Sequence, residues 1–164
     1  MREHPENTGK DMFCGFIGNY TQTLDQKNRL VVPVKFRAFF EAGTEPPSFY
    51  ITRGQDKCIL MFTSGQWNEW KASLRAATST REMKGSVRNY GRMVYANAHF
   101  CMCDKLGRIT IPPALVEYAE LKRDLTIIGV DDRMEIWSTE KWNEYQERVL
   151  EDFENLTEDI YQSQ

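Results

Sequence analysis

The stretch LDQKNRLVVP, residues 24–33, reads as the tip of a β-hairpin, and CDKLGRITIP, residues 103–112, repeats it. In each, a polar loop separates two apolar strand ends, and a proline closes the second strand. Asp25, Arg29 and Pro33 recur as Asp104, Arg108 and Pro112, while Leu30 and Val32 recur as Ile109 and Ile111. One supersecondary unit is therefore written twice, and the rest of the chain is organised around that repeat.

In the first copy, alternation in GNYTQTL marks the strand before the tip, and RLVVP is its partner. VKFRAFF follows as a short helix opened by a proline, whose missing N–H would be unpaired there anyway. After the loop EAGTEPP come two strands, SFYITR and KCILMF, joined across Gly54-Gln55-Asp56. TSGQWNEWKASLRAA is then a helix with Thr63 or Ser64 as N-cap and Trp67, Trp70 and Leu74 as its buried stripe. The second copy keeps this order, with strands NAHFCMC and RITIP, short helix PALVEYA, strands LTIIGV and RMEIW, and helix STEKWNEYQERVL. Gly129, Asp131, Trp137, Trp142 and Tyr145 fall where Gly54, Asp56, Phe62, Trp67 and Trp70 fell. The offset is 79 residues at the hairpin and 75 at the second strand pair, the difference lying in the EAGTEPP loop, where insertions cost least.

Between the copies, STREMKGSVRNYGRMVY reads as a basic amphipathic helix. Met83, Val87 and Tyr90 lie on one face, and Arg81, Lys84, Arg88 and Arg92 lie mostly on the other. The expected organisation is a disordered extension over residues 1–15, a first repeat over 16–78, a connecting helix over 79–95, a second repeat over 96–149, and an acidic tail with a frayed helix end over 150–164.

The net charge of −3 is unevenly placed. Residues 131–164 carry eleven acidic and three basic residues, so the remainder of the chain is basic. A basic body with an acidic end permits nucleic-acid binding without demanding it. No apolar run reaches the roughly 18 residues that a membrane span needs. The N-terminal stretch MREHPENTGKD is too polar to serve as a signal-peptide core. A cytoplasmic location is expected.

Four cysteines in a chain of 164 residues do not make a disulfide scaffold. His99, Cys101 and Cys103 form H-x-C-x-C along a strand, a pattern that can hold a soft metal. A closed zinc site needs four ligands, and no partner pair lies nearby. The three residues are expected instead to face the core, so neither a metal nor a cofactor is expected. Catalysis is also disfavoured. Asp131, Asp132 and Glu135 sit at a turn and the strand after it, His4 is in the extension, and His99 is expected in the core. No phosphate loop, nucleophile triad or nucleotide fingerprint occurs.

The chemistry of the tips is more specific. The Asp25 and Asp104 carboxylates suit a brace that accepts turn N–H groups or pairs with the following arginine. Asn28 and Gly107 share the position before that arginine, and both residue types tolerate left-handed φ. A turn that presents Lys and Arg can place cations against phosphates, or Arg against a guanine edge. The bracing explains the aspartates without a ligand; the repeated Arg favours nucleic acid.

The paired D-x-x-x-R tips with their following prolines, together with ITRGQDKCILMF…W and IIGVDDRMEIW…W, resemble the MraZ family over about residues 16–149. The resemblance implies an α+β, mainly β fold: tandem AbrB-type repeats (SpoVT/AbrB-like) in a pseudo-two-fold swapped-hairpin β-barrel with peripheral helices. It implies a ring-shaped homo-oligomer that binds repeated boxes of double-stranded DNA in a promoter. The expected target is its own promoter and the adjacent cell-division and cell-wall genes, mainly as a repressor, which also implies nucleoid association. The family's DNA-binding tip falls on Lys27 and Arg29 in one copy and on Lys105 and Arg108 in the other. Asp25, Asn28, Asp104 and Gly107 brace the loops. Three departures stand out: Phe16-Ile17-Gly18 replaces the usual F-R-G, Asn28 replaces Gly, and Leu106 makes the second tip less basic than the first. An antitoxin-like module whose acidic end meets a basic toxin is the alternative. No membrane or small-molecule partner is expected.

Overall fold

The computed structural model describes residues 15–40, 45–78 and 84–162. The expected N-terminal extension up to residue 14 and the first five residues of the expected connecting helix lie outside them.

The first repeat contributes β1 (Asn19–Thr23), β2 (Arg29–Val31), α1 (Val34–Arg37), β3 (Ser48–Arg53), β4 (Ile59–Phe62) and α2 (Ser64–Thr78). Helix α3 (Lys84–Ala96) connects it to β5 (His99–Met102), β6 (Arg108–Thr110), α4 (Pro113–Tyr118), β7 (Asp124–Gly129), β8 (Met134–Ser138) and α5 (Thr139–Leu150). A last helix, α6 (Phe153–Gln162), occupies the segment expected as a frayed end.

Two sheets result, a six-stranded one ordered β1-β7-β8-β4-β3-β5 and a two-stranded ribbon of β2 and β6. Every pairing between these strands is antiparallel. The first strand of each repeat pairs with the third strand of the other, β1 with β7 and β5 with β3. The equivalent strands β4 and β8 pair with each other at the centre of the large sheet, and β2 pairs with β6 in the ribbon. The expected barrel is not closed by a continuous ladder. Strands β2 and β6 each end after three residues, because Pro33 and Pro112 lack the N–H that pairing needs and turn the chain into α1 and α4. The fold is mixed α/β: among the described residues helical ones outnumber strand ones, although the core is built on sheet.

Alternation along the strands produces three layers. One face of the large sheet packs Phe49, Ile51, Ile59, Met61, Leu125, Ile127, Met134 and Ile136 against Leu30 and Val32 of the first repeat and Ile109 and Ile111 of the second. Its other face presents Leu60, Phe62 and Trp137 to the aromatic residues of α2 and α5. Trp67 and Trp70 stack on α2, as do their repeat equivalents Trp142 and Tyr145 on α5. Thr63 is the N-cap of α2: its hydroxyl and the Gln66 side chain bond across the helix start as a capping box. Helix α3 buries Val87, Gly91 and Val94 and is pinned to β3 by the Thr52 hydroxyl, which donates to the Val94 carbonyl at 2.7 Å. Tyr90, expected on the buried face, is exposed. The long helices therefore cover one side of the large sheet, and the β2/β6 ribbon lies on the other.

One expectation fails at β5. His99 is exposed and only Cys101 and Cys103 turn towards the core. Among the described residues β5 pairs only with β3, at the edge of the sheet, and its first residue is left uncovered. Burial pushes the Cys101 and Cys103 thiols up to about 11, which keeps both protonated at neutral pH. Among the described residues no group of three His, Cys, Asp or Glu side chains is placed to hold a metal, and no helix is long and apolar enough to cross a membrane.

Candidate nucleic-acid interface

The two tips are near-copies in atomic detail. Asp25 Oδ1 accepts the backbone N–H groups of Lys27 (2.8 Å) and Arg29 (2.9 Å), and its Oδ2 accepts Arg29 Nε at 2.7 Å. Asp104 does the same with Leu106, Arg108 and Arg108 Nε at 2.9, 2.9 and 2.7 Å. Both loops are closed by the aspartate N–H donating to the arginine carbonyl at 2.9 Å. Turning the chain this tightly requires left-handed backbone before the arginine, and φ is 55° at Asn28 and 73° at Gly107.

Each carboxyl is held below the ordinary aspartate range, first by the arginine's backbone N–H and then by its guanidinium. The lowered value gives the sign of a pH effect. The bracing contributes in full above the unfolded aspartate pKa, about 3.9, and is lost as pH falls through the lower folded value. Stability should therefore fall on acidification below about pH 4. The double variant Asp25→Asn/Asp104→Asn, which keeps an acceptor but not the charge, should be less stable at pH 7 and less sensitive to acid. Urea titrations between pH 2 and 7 would show it; equal acid slopes would exclude the brace.

The ribbon brings the tips together. Arg29 lies opposite Thr110, Leu30 opposite Ile109 and Val31 opposite Arg108. The pairing continues into the loops, where Val32 N–H donates to Gly107 O and Ile111 N–H to Asn28 O. Leu30 and Ile109 are buried beneath the ribbon. Arg29, Val31, Arg108 and Thr110 share the opposite, outer face. The two arginines are diagonal neighbours on it, with Cα atoms about 7–8 Å apart in such a pair. They retain 31% and 26% side-chain exposure, and Lys27 and Lys105 stand exposed beside them. A guanidinium has five N–H donors. Asp25 engages two nitrogens of Arg29, which leaves donors on its outer edge.

Two further cations join the tips. Arg37 of α1 donates from Nε to the Val32 carbonyl at 2.9 Å, and its guanidinium lies so close to Gly107 that a Cβ there would overlap it. Arg123 is held beside the first tip because Leu24 N–H donates to its carbonyl at 2.8 Å. With Lys122 it lines a depression of about 490 Å³ that also contains Asp25 and Gln26. Reading by repeats missed both, since position 37 recurs as Val116 and residue 123 belongs to a loop whose length differs between copies. The excess of basic residues near each tip was the available signal.

Two of the acidic residues considered for catalysis are engaged otherwise. Asp132 pairs with Arg133 at 2.7 Å, and Glu135 accepts the Trp137 indole N–H at 3.1 Å.

A duplicated antiparallel β unit thus carries two arginine-bearing tips on one ribbon. Comparison with known proteins gives the family. The family profile described as "MraZ protein, putative antitoxin-like" matches residues 16–88 and again 94–163. The chain is also 39% identical over 145 residues to a protein of Natranaerobius thermophilus named "Transcriptional regulator MraZ", covering 88% of this chain and 96% of that one. The chain belongs to the MraZ family, one of transcriptional regulators and not of enzymes.

Proposed function

We propose that this chain is a sequence-specific DNA-binding transcriptional regulator whose contact surface is the outer face of the β2/β6 ribbon. The observation that carries this is the placement of Arg29 and Arg108 on one exposed face, with Lys27 and Lys105 at its two ends. The major groove of B-DNA, about 12 Å wide, admits a two-stranded ribbon, and arginine pairs with the acceptor edge of guanine there. The lysines, with Arg37 and Arg123, supply phosphate contacts that set register without carrying sequence information. Each repeat lends its first strand to the other, so the halves act as one pseudo-two-fold swapped-hairpin unit with two tips. The targets are repeated boxes in its own promoter, upstream of cell-division and cell-wall genes, and the outcome is repression. A ring of copies aligns several units with consecutive boxes. Linked binding of that kind raises avidity by about 10²–10⁴ without a new contact. The protein acts in the cytoplasm, on the nucleoid.

Titration of duplex DNA from upstream of its own coding region tests this. Affinity should fall with salt at a log–log slope of about −0.9 per phosphate neutralised. Inserting about 5 base pairs between boxes, half of a helical turn of about 10, should remove the avidity. Equal affinity for scrambled duplex would overturn the proposal. A second reading rests on the antitoxin-like wording of the family description: the acidic end meets a basic toxin, and co-purification with a small basic ribonuclease would favour it.

A further inference from the structure

Helix α6 leaves an apolar stripe exposed, with no partner among the described residues. Phe153, Leu156 and Ile160 are spaced three and four residues apart, which aligns them on one face, and they are 58%, 45% and 64% exposed. Leu150, at the end of α5, extends the patch at 65% exposure. Amphipathic helices ordinarily bury such a stripe, and a contiguous exposed apolar patch marks an interaction site. The helix is also uniformly acidic. Glu151 and Asp152 precede it, Glu154, Glu158 and Asp159 lie within it, and no Lys or Arg occurs after Arg148.

The same molecule carries the complementary shape elsewhere. Between α2 and α3 runs a groove of about 550 Å³ with Leu74, Val87 and Tyr95 along it and Gly91 at the bottom. Gly91 brings no side chain, so the depression stays open. Arg88 and Arg92 stand exposed at its rim, and neither pairs with a carboxylate among the described residues. An apolar slot with a basic rim fits an apolar stripe on an acidic helix, the helix-in-groove mode of recognition.

We infer that α6 of one copy docks in the α2/α3 groove of the next. The contact is head-to-tail, because the surface donated differs from the surface received. Such contacts propagate and close into a ring where the rotation allows. The arginine rim sets orientation and speeds encounter, and the apolar stripe supplies the burial that holds the pair. This gives the assembly assumed in the proposed function a physical interface, and it rests on that reading only for its purpose.

The mass of the full-length protein in solution tests the pairing. Wild type should be a multiple of the 19.2 kDa chain. Phe153→Asp/Ile160→Asp and Arg88→Glu/Arg92→Glu should each reduce it to a single chain, with unchanged circular dichroism. A monomeric wild type, or either double variant retaining the wild-type mass, would overturn the inference; an α6 that docks on its own groove gives the latter result. Titrating a single-box duplex separates this from the DNA reading. Dissociated variants that still bind one box support the interface and leave the tips assigned. A wild type that assembles and loses that mass in both variants, yet ignores the box, supports the interface and removes the DNA function.

Discussion

Replacing Arg29 and Arg108 together by alanine should lower affinity for box-bearing duplex by about 30- to 10⁴-fold for each chain engaged. Each guanidinium set on a guanine edge contributes about 1–3 kcal/mol of discrimination, and the ribbon holds two per chain. The loss should fall on the correct boxes and spare scrambled DNA, because the phosphate contacts proposed for Lys27 and Lys105 would remain. Lys27→Ala or Lys105→Ala should do the reverse, weakening all duplexes alike and reducing the salt slope by about 1 each. The arginine variant should stay folded. Asp25 Oδ1 and Asp104 Oδ1 still accept two backbone N–H groups each, and the buried side of the ribbon is untouched. Unchanged affinity in a folded double variant would remove the tips from the interface.

Phe16→Ala should destabilise the fold by about 3–5 kcal/mol, the cost typical of truncating a buried phenylalanine. That is a large part of the 5–15 kcal/mol that holds a domain together, and thermal melts should shift by about 6–20 °C. Phe16 is fully buried. Its ring meets Phe36 and Phe39 edge-on, at centroid distances of 5.4 and 4.8 Å. Its backbone exchanges two hydrogen bonds with Asp131, at 2.7 and 2.8 Å. Gly129 admits this segment, since a Cβ there would overlap the backbone of Phe16 and Ile17. The substitution therefore empties a site and loosens the strap that ties the first repeat to the second. Ile17, the next residue, is 70% exposed, and Ile17→Arg should change stability by less than about 0.5 kcal/mol. Equal effects at the two positions would contradict the placement of the strap.

The fold was legible wherever a residue appears twice. Pro33 and Pro112, Asn28 and Gly107, and the stacked pairs Trp67/Trp70 and Trp142/Tyr145 all followed from one copy checked against the other. Reading failed where position in space, not residue type, decides the outcome. His99 alternates with Cys101 and looks inward, yet it sits at the end of an edge strand. Barrel closure depends on whether short strands reach their neighbours, and alternation does not encode that. Helix α6 was obscured because its acidic residues suggest a solvated tail, whereas Phe153, Leu156 and Ile160 keep helical spacing. At the candidate interface the repeated Asp and Arg were plain, but Arg37 and Arg123 come from unrepeated positions and needed the fold to bring them near.

Strand exchange between the repeats makes each half depend on the other. A half-length polypeptide with one tip would leave β1 without β7, β3 without β5 and its centre strand β4 without β8. It would become soluble only by entwining with a sister chain. Joined in one polypeptide, the two fingertips are free to differ, as Lys27 and Leu106 do.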